Sequence, residues 1–239
     1  MSDKKRSGWF YVFVSCGVLL LVGVIVVGAG TFMTVRWAKN IKQELEAPEL
    51  RIAKAHQAMS DIMGVEEPPE GYHAEMSIRA PFGLFQLLIL TDGDLVEDLD
   101  EITDADHLLV YFEGPGWDSD WKKFANGGDF PFDNLDDLNI NIRRSDVIGQ
   151  GELTVGKMEL AYLVNRGEFS AESFSSDGIF TVILVRCPEG DKRSRTIIWA
   201  GPEGKAESVD EADGEQVAGT TGDPDRIAEM MGHFPLCGA

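Results

Sequence analysis

Basic residues are scarce in this 239-residue chain: 21 lysines and arginines stand against 41 aspartates and glutamates, and the formal net charge is −20. Setting aside Asp3, Lys4, Lys5 and Arg6 leaves 18 basic and 40 acidic residues, a net charge of −22. A field of that sign repels nucleic acid and anionic headgroups, so no nucleic-acid partner is expected. The acidity reads as a solubilising or salt-adapted surface. Cysteine and histidine are also scarce, at three and four residues. No C-x-x-C and no H-E-x-x-H occurs, which removes the common zinc frameworks. No G-x-S-x-G elbow and no dinucleotide-binding glycine fingerprint is present. The Gly-Lys pair in "GPEGKAES" has two residues between its glycines where a P-loop has four, and Ala206 replaces the magnesium-binding hydroxyl. No N-x-S/T sequon occurs, which agrees with a bacterial source. With these motifs missing, no catalytic residue can be named, and a non-catalytic role is the expectation.

Charge is missing altogether from one long stretch, Ser7 to Val35. About 20 apolar residues cross a bilayer core, so residues 9–35 are expected to span the membrane as a helix, anchoring the chain in lipid. Trp9, Tyr11 and Trp37 stand where interfacial aromatics belong. A cleaved signal fits less well, because its apolar region is roughly 7–15 residues. "FVSC" loosely resembles a lipoprotein box, but Cys16 comes too early for one. Lys4, Lys5 and Arg6 before the span nearly balance Arg36, Lys39 and Lys42 after it. A short arm (1–8) followed by a long span nevertheless favours a signal-anchor in a bacterial inner (plasma) membrane. The N-terminus is then cytoplasmic and the remainder periplasmic or extracellular.

Residues 36–64 read as a helical stalk. Trp37, Ile41 and Leu45 recur every four positions, Pro48 interrupts, and Ile52, Ala55, Met59 and Ile62 then share a face up to a stop at Gly64. Such a stalk packs on its own domain or lies near the bilayer; alternatively it pairs two copies as a short homodimeric coil. A linker (65–71) leads to an antiparallel α+β domain at 72–202, with an all-β sandwich or barrel as the alternative. Its expected strands are "YHAEMSIRA", a doubly buried "GLFQLLILT", "HLLVYFEG" and the alternating "LNINIRR". A helical turn or two over "WDSDWKKFA" should separate the last two. Then comes a four-stranded meander: "GELTVGKMELAYLV" turning at Gly156-Lys157, and "GIFTVILVRC" with "RSRTIIWAG" across "PEGDK".

Residues 203–222 hold six acids, one base and no aromatic, and read as a disordered linker. Beyond it, Asp223 suits an N-cap, Pro224 the first helical position and Gly232 the exit. Ile227, Met230, Met231 and Phe234 fall on one face of a helix too short to persist alone, so residues 223–239 should dock. With Cys16 in the membrane, Cys187 and Cys237 remain as an even pair in the exported part, a candidate disulfide stapling that helix to the meander.

Two charge clusters are candidate sites. "DGDLVEDLDEITDAD" places eight carboxylates between Asp92 and Asp106. Asp92, Asp94, Glu97, Asp98 and Asp100 could form a loose Ca2+ site, though Glu97 and Thr103 break the EF-hand pattern, and a solvated acidic loop is the plainer reading. No other cofactor is expected. Arg186, Lys192, Arg193 and Arg195 cluster around one hairpin turn against the global charge. They either neutralise neighbouring acids or offer an edge to an envelope protein partner. The expected function is therefore a membrane-anchored binding or scaffolding domain, with an envelope hydrolase or a Ca2+/small-ligand binder as the alternative.

Overall fold

A computed structural model describes residues 36, 39–40, 47–93, 105–115, 140–171, 174–188, 193–202 and 217–237. The chain divides into two compact units, Met1–Glu44 and Leu45–Ala239. In the first, Arg36, Lys39 and Asn40 are described, and they are helical. The expected membrane span (9–35) lies outside the described residues, among which no helix is long and apolar enough to cross a membrane.

Among the described residues the second unit is a seven-stranded sheet with two α-helices, α1 (Pro48–Met63) and α2 (Pro224–Gly232). Its strands are β1 (His73–Arg79), β2 (Gln86–Thr91), β3 (Leu108–Pro115), β4 (Ile140–Val155), β5 (Met158–Ala171), β6 (Phe174–Arg186) and β7 (Arg193–Pro202). They lie in the order β1-β2-β3-β7-β6-β5-β4, with every neighbouring pair antiparallel. Two meanders, β1–β3 and β4–β7, are thus joined where β3 pairs with β7. Among the described residues β1 and β4 form the two edges of a single open sheet, which favours α+β over the sandwich or barrel. The chain must travel four strand spacings, about 19 Å, between β3 and β4. The expected helical turns at 117–125 fall in that connection, outside the described residues.

Alternation builds two apolar faces. On one, Leu88, Leu90, Leu109, Ile183, Ile197 and Trp199 pack with Ala55, Met59 and Met63 of α1 and Ile227, Met230 and Met231 of α2. On the other, Leu87, Ile89, Leu108, Val110, Val182, Leu184 and Ile198 are buried in a cluster that contains no described helical residue. The six residues of β2 are all buried, as a doubly covered strand requires. β4 and β5 turn at Gly156-Lys157, with Val155 facing Met158 and φ of +59° at Gly156, a value that glycine adopts without a Cβ clash. The meander strands run longer than the sequence pattern indicates, because β5 and β6 stay paired out to Ala171 and Phe174.

Pro48 opens α1 at its first turn behind an extended Ala47, and Gly64 closes it by donating its N–H to Ser60 O. The helix packs on β1 and β2. Its buried face is Arg51, Ala55, Met59 and Met63, about one position round from the expected Ile52, Ala55, Met59 and Ile62. Arg51 turns inward because Glu75 of β1 waits there: Nη2 lies 3.8 Å from Oε2, with the side chains 2% and 0% exposed. Thr91 Oγ1 donates to Glu75 Oε1 at 3.5 Å.

At the other end, Asp223 caps α2 by accepting from Asp225 N, and Ile227, Met230, Met231 and Phe234 are buried as the periodicity predicts. The linker expected to be disordered over 203–222 gives way to built structure in its last six residues. Thr181 Oγ1 donates to Thr221 O at 2.8 Å, and Thr221 Oγ1 donates to Ile179 O at 3.0 Å. These two bonds fasten the approach to α2 along β6. Residues 203–216 lie outside the described set.

Candidate functional site

Beyond α2 the chain returns to the sheet, and Cys187 and Cys237 sit at disulfide distance, with Sγ–Sγ 2.08 Å and Cα–Cα 5.1 Å. The expected pairing is present, linking the end of β6 to the chain terminus. Cys187 also lies beside a charged network. Glu113 of β3 faces Arg195 of β7 in the sheet register, and both are nearly buried, at 5% and 8% exposure. Arg195 Nε lies 3.5 Å from Glu113 Oε2, while Arg193 reaches Glu113 Oε1 from the half-exposed side. Tyr111 Oη donates to Glu113 Oε2 at 2.5 Å. Burial, reinforced by the Glu113 charge, pushes the Tyr111 hydroxyl far above its ordinary value, so it stays a donor. Arg195 Nη1 then points onward to Cys187 Sγ, 3.2 Å away. A carboxylate, two guanidiniums and a sulfur thus form one chain of contacts at the margin of the core.

The four residues expected to form a basic edge are therefore divided. Arg193 and Arg195 converge on Glu113, Arg186 pairs with Glu159 at 3.6 Å on an exposed surface, and Lys192 lies outside the described residues. Arg186 and Glu159 line an open depression of about 460 Å³ with Glu152, Leu153, Thr154 and Leu160.

Of the five acidic residues expected near a cation, Asp92 is described and Asp94, Glu97, Asp98 and Asp100 are not. Among the described residues no group of three or more His, Cys, Asp or Glu could hold a metal ion. Asp92 instead engages His107 across the mouth of the β2–β3 connection. Its Oδ2 lies 2.5 Å from His107 Nδ1, and its Oδ1 accepts the His107 backbone N–H at 2.7 Å. A carboxylate on Nδ1 fixes the imidazole tautomer and leaves Nε2 for other work. The His107 ring lies against Gly201, where a Cβ would come within 2.6 Å of Cδ2, so glycine makes the approach possible. Trp199 lies alongside at 6.5 Å between ring centroids and donates from Nε1 to Tyr72 Oη at 2.9 Å. Arg226 of α2 covers the Trp199 ring at 5.5 Å, within cation–π range. Burial pushes the Tyr72 hydroxyl up to about 12; the nearby Asp92 charge adds to the rise, while the Trp199 hydrogen bond and Arg226 oppose it.

Sequence reasoning reached Arg193, Arg195 and Cys187 but not Glu113, Tyr111 or the Asp92–His107 pair. One signal was available: alternation puts Glu113 on the face of Leu109 and Tyr111, and Arg195 on the face of Ile197 and Trp199. Two opposite charges at inward positions of strands expected to be buried call for each other. No family model matches the chain, and no curated protein matches it in sequence.

Proposed function

We propose that the chain is a single-pass membrane protein whose exported domain binds or scaffolds another component of a bacterial cell envelope. The observation that carries this reading is the Cys187–Cys237 pair, which suits an oxidising compartment. The uncharged run from Ser7 to Val35 supports the tether, and the two helices fastened to one sheet face support a rigid platform rather than a moving lid. The exposed Arg186–Glu159 edge, with its depression, is the surface offered to a protein partner. Photocrosslinkers placed at Thr154 and Glu159 in intact membranes test it. Discrete crosslinked protein species that vanish with Arg186→Glu are expected; no specific adduct from either position overturns the reading. Sidedness is tested separately, by digestion of the domain with protease added to spheroplasts.

The Asp92–His107 pair favours a second reading, an envelope hydrolase using His107 as general base. Turnover of ester or phosphoester substrates by the full-length chain, lost in His107→Gln, would support it. Activity unchanged in that variant removes it.

A further inference from the structure

We infer that the Cys187–Cys237 bond is an exchangeable disulfide, opened by a protein dithiol that attacks Cys237 and releases Cys187 as the leaving group. The inference starts from asymmetry between the two sulfurs. Cys187 receives an N–H from Arg195 at 3.2 Å, and that guanidinium is nearly buried, where its charge is poorly screened. Cys237 is partly buried against the core, and its sulfur lies 3.8 Å from the Arg186 carbonyl oxygen. Thiol–disulfide exchange runs fastest when the leaving sulfur is the better-stabilised thiolate. The Arg195 contact assigns that role to Cys187.

The step balances without a further reagent. A thiolate of the dithiol attacks Cys237 Sγ, a mixed disulfide forms there, and the electron pair of the broken S–S bond departs on Cys187 Sγ beside Arg195. The second thiol of the partner then attacks the mixed disulfide. Cys237 leaves as a thiol, and the partner becomes the disulfide; two electrons have passed to the cysteine pair. Among the described residues, the charged groups around the leaving sulfur are Arg195 and Arg193 of β7, Glu113 of β3 with its Tyr111 donor, and Arg186 and Glu159 on the exposed side. Glu113 tempers Arg195, so the two residues should act on the bond in opposite directions.

The purified full-length chain in detergent, equilibrated with glutathione redox buffers at pH 8, provides the test. Free thiols at 187 and 237 are alkylated after acid quenching and counted by peptide mass, which separates them from Cys16. Arg195→Met should make reduction about tenfold less favourable, a shift of roughly 30 mV toward resistance. Arg195→Lys should keep most of the wild-type value. Glu113→Gln should move the equilibrium the other way by several-fold. An Arg195→Met value within twofold of wild type, or a shift toward easier reduction, overturns the inference. Should Arg195→Met fail to fold, the position of attack decides on wild-type protein. A small monothiol trapped as a mixed disulfide should be found on Cys237; trapping on Cys187 overturns it equally.

Discussion

Both helices lie on the same face of the sheet, yet they are fastened by opposite means. α1 precedes β1 by the nine residues 64–72, spans sixteen, and buries a charged pair, Arg51 with Glu75, alongside three apolar side chains. α2 spans nine residues and is reached from β7 through residues 203–222. It buries only apolar side chains and is closed by a cysteine pair spanning fifty positions. Loop-closure entropy contributes to the difference, at about 0.6 kcal/mol for each doubling of the link. A helix tied to its strand by a short link loses little freedom on docking, so side-chain contacts suffice. A short helix on a long tether loses more, and a covalent closure removes that loss from the unfolded chain.

The comparison can be broken most strongly at the cysteines. Replacing Cys187 and Cys237 together by serine should destabilise the unit by about 4 kcal/mol, the chain-entropy value for a loop of this length. Hydrogen exchange should then show α2 opening before α1; equal protection of the two helices contradicts the contrast. At the ion pair, Glu75→Ala removes the buried carboxylate that faces Arg51 and should cost about 3 kcal/mol in denaturant unfolding. Joint replacement by Arg51→Met and Glu75→Leu should restore most of the loss, since apolar packing substitutes for a buried pair. A double variant as unstable as the single one shows that α1 needs the charges themselves. The smallest effect is at the seam between the helices. Tyr72 has its folded ionisation raised from 10 to about 12, so it favours folding while neutral. That contribution is complete below pH 10 and disappears as pH rises through about 12, amounting to roughly 2.7 kcal/mol. Tyr111 acts in the same direction. Tyr72→Phe should flatten the fall in stability between pH 10 and 12, read from pH-dependent melting. The same variant should cost about 1 kcal/mol at neutral pH by leaving Trp199 Nε1 without its acceptor.

α2 was legible in the sequence down to its cap and buried face, because Asp223, Pro224 and the apolar spacing all act locally. α1 was legible in its limits, set by Pro48 and Gly64, but its face was displaced because Arg51 reads as a surface residue until Glu75 is brought beside it by the sheet. The same holds for Glu113 and Arg195: each strand was readable, while their meeting depends on β3 lying next to β7, which no local pattern encodes. Thr220 and Thr221 escaped notice for a related reason. Small polar residues in an acidic tail look solvated, and only the bonds of Thr221 with β6 and of Thr220 with Val217 and Gly222 show otherwise.

The β3–β7 seam also sets a timetable. The first three strands are made early but have one side of β3 unmatched until residues 193–202 have been synthesised. Pairings this far apart in sequence form slowly. A chain delivered vector-wise, N-terminus first, would hold its β1–β3 meander with that side of β3 open until β7 has followed it. Its fate in that interval would rest on whatever shields the waiting edge.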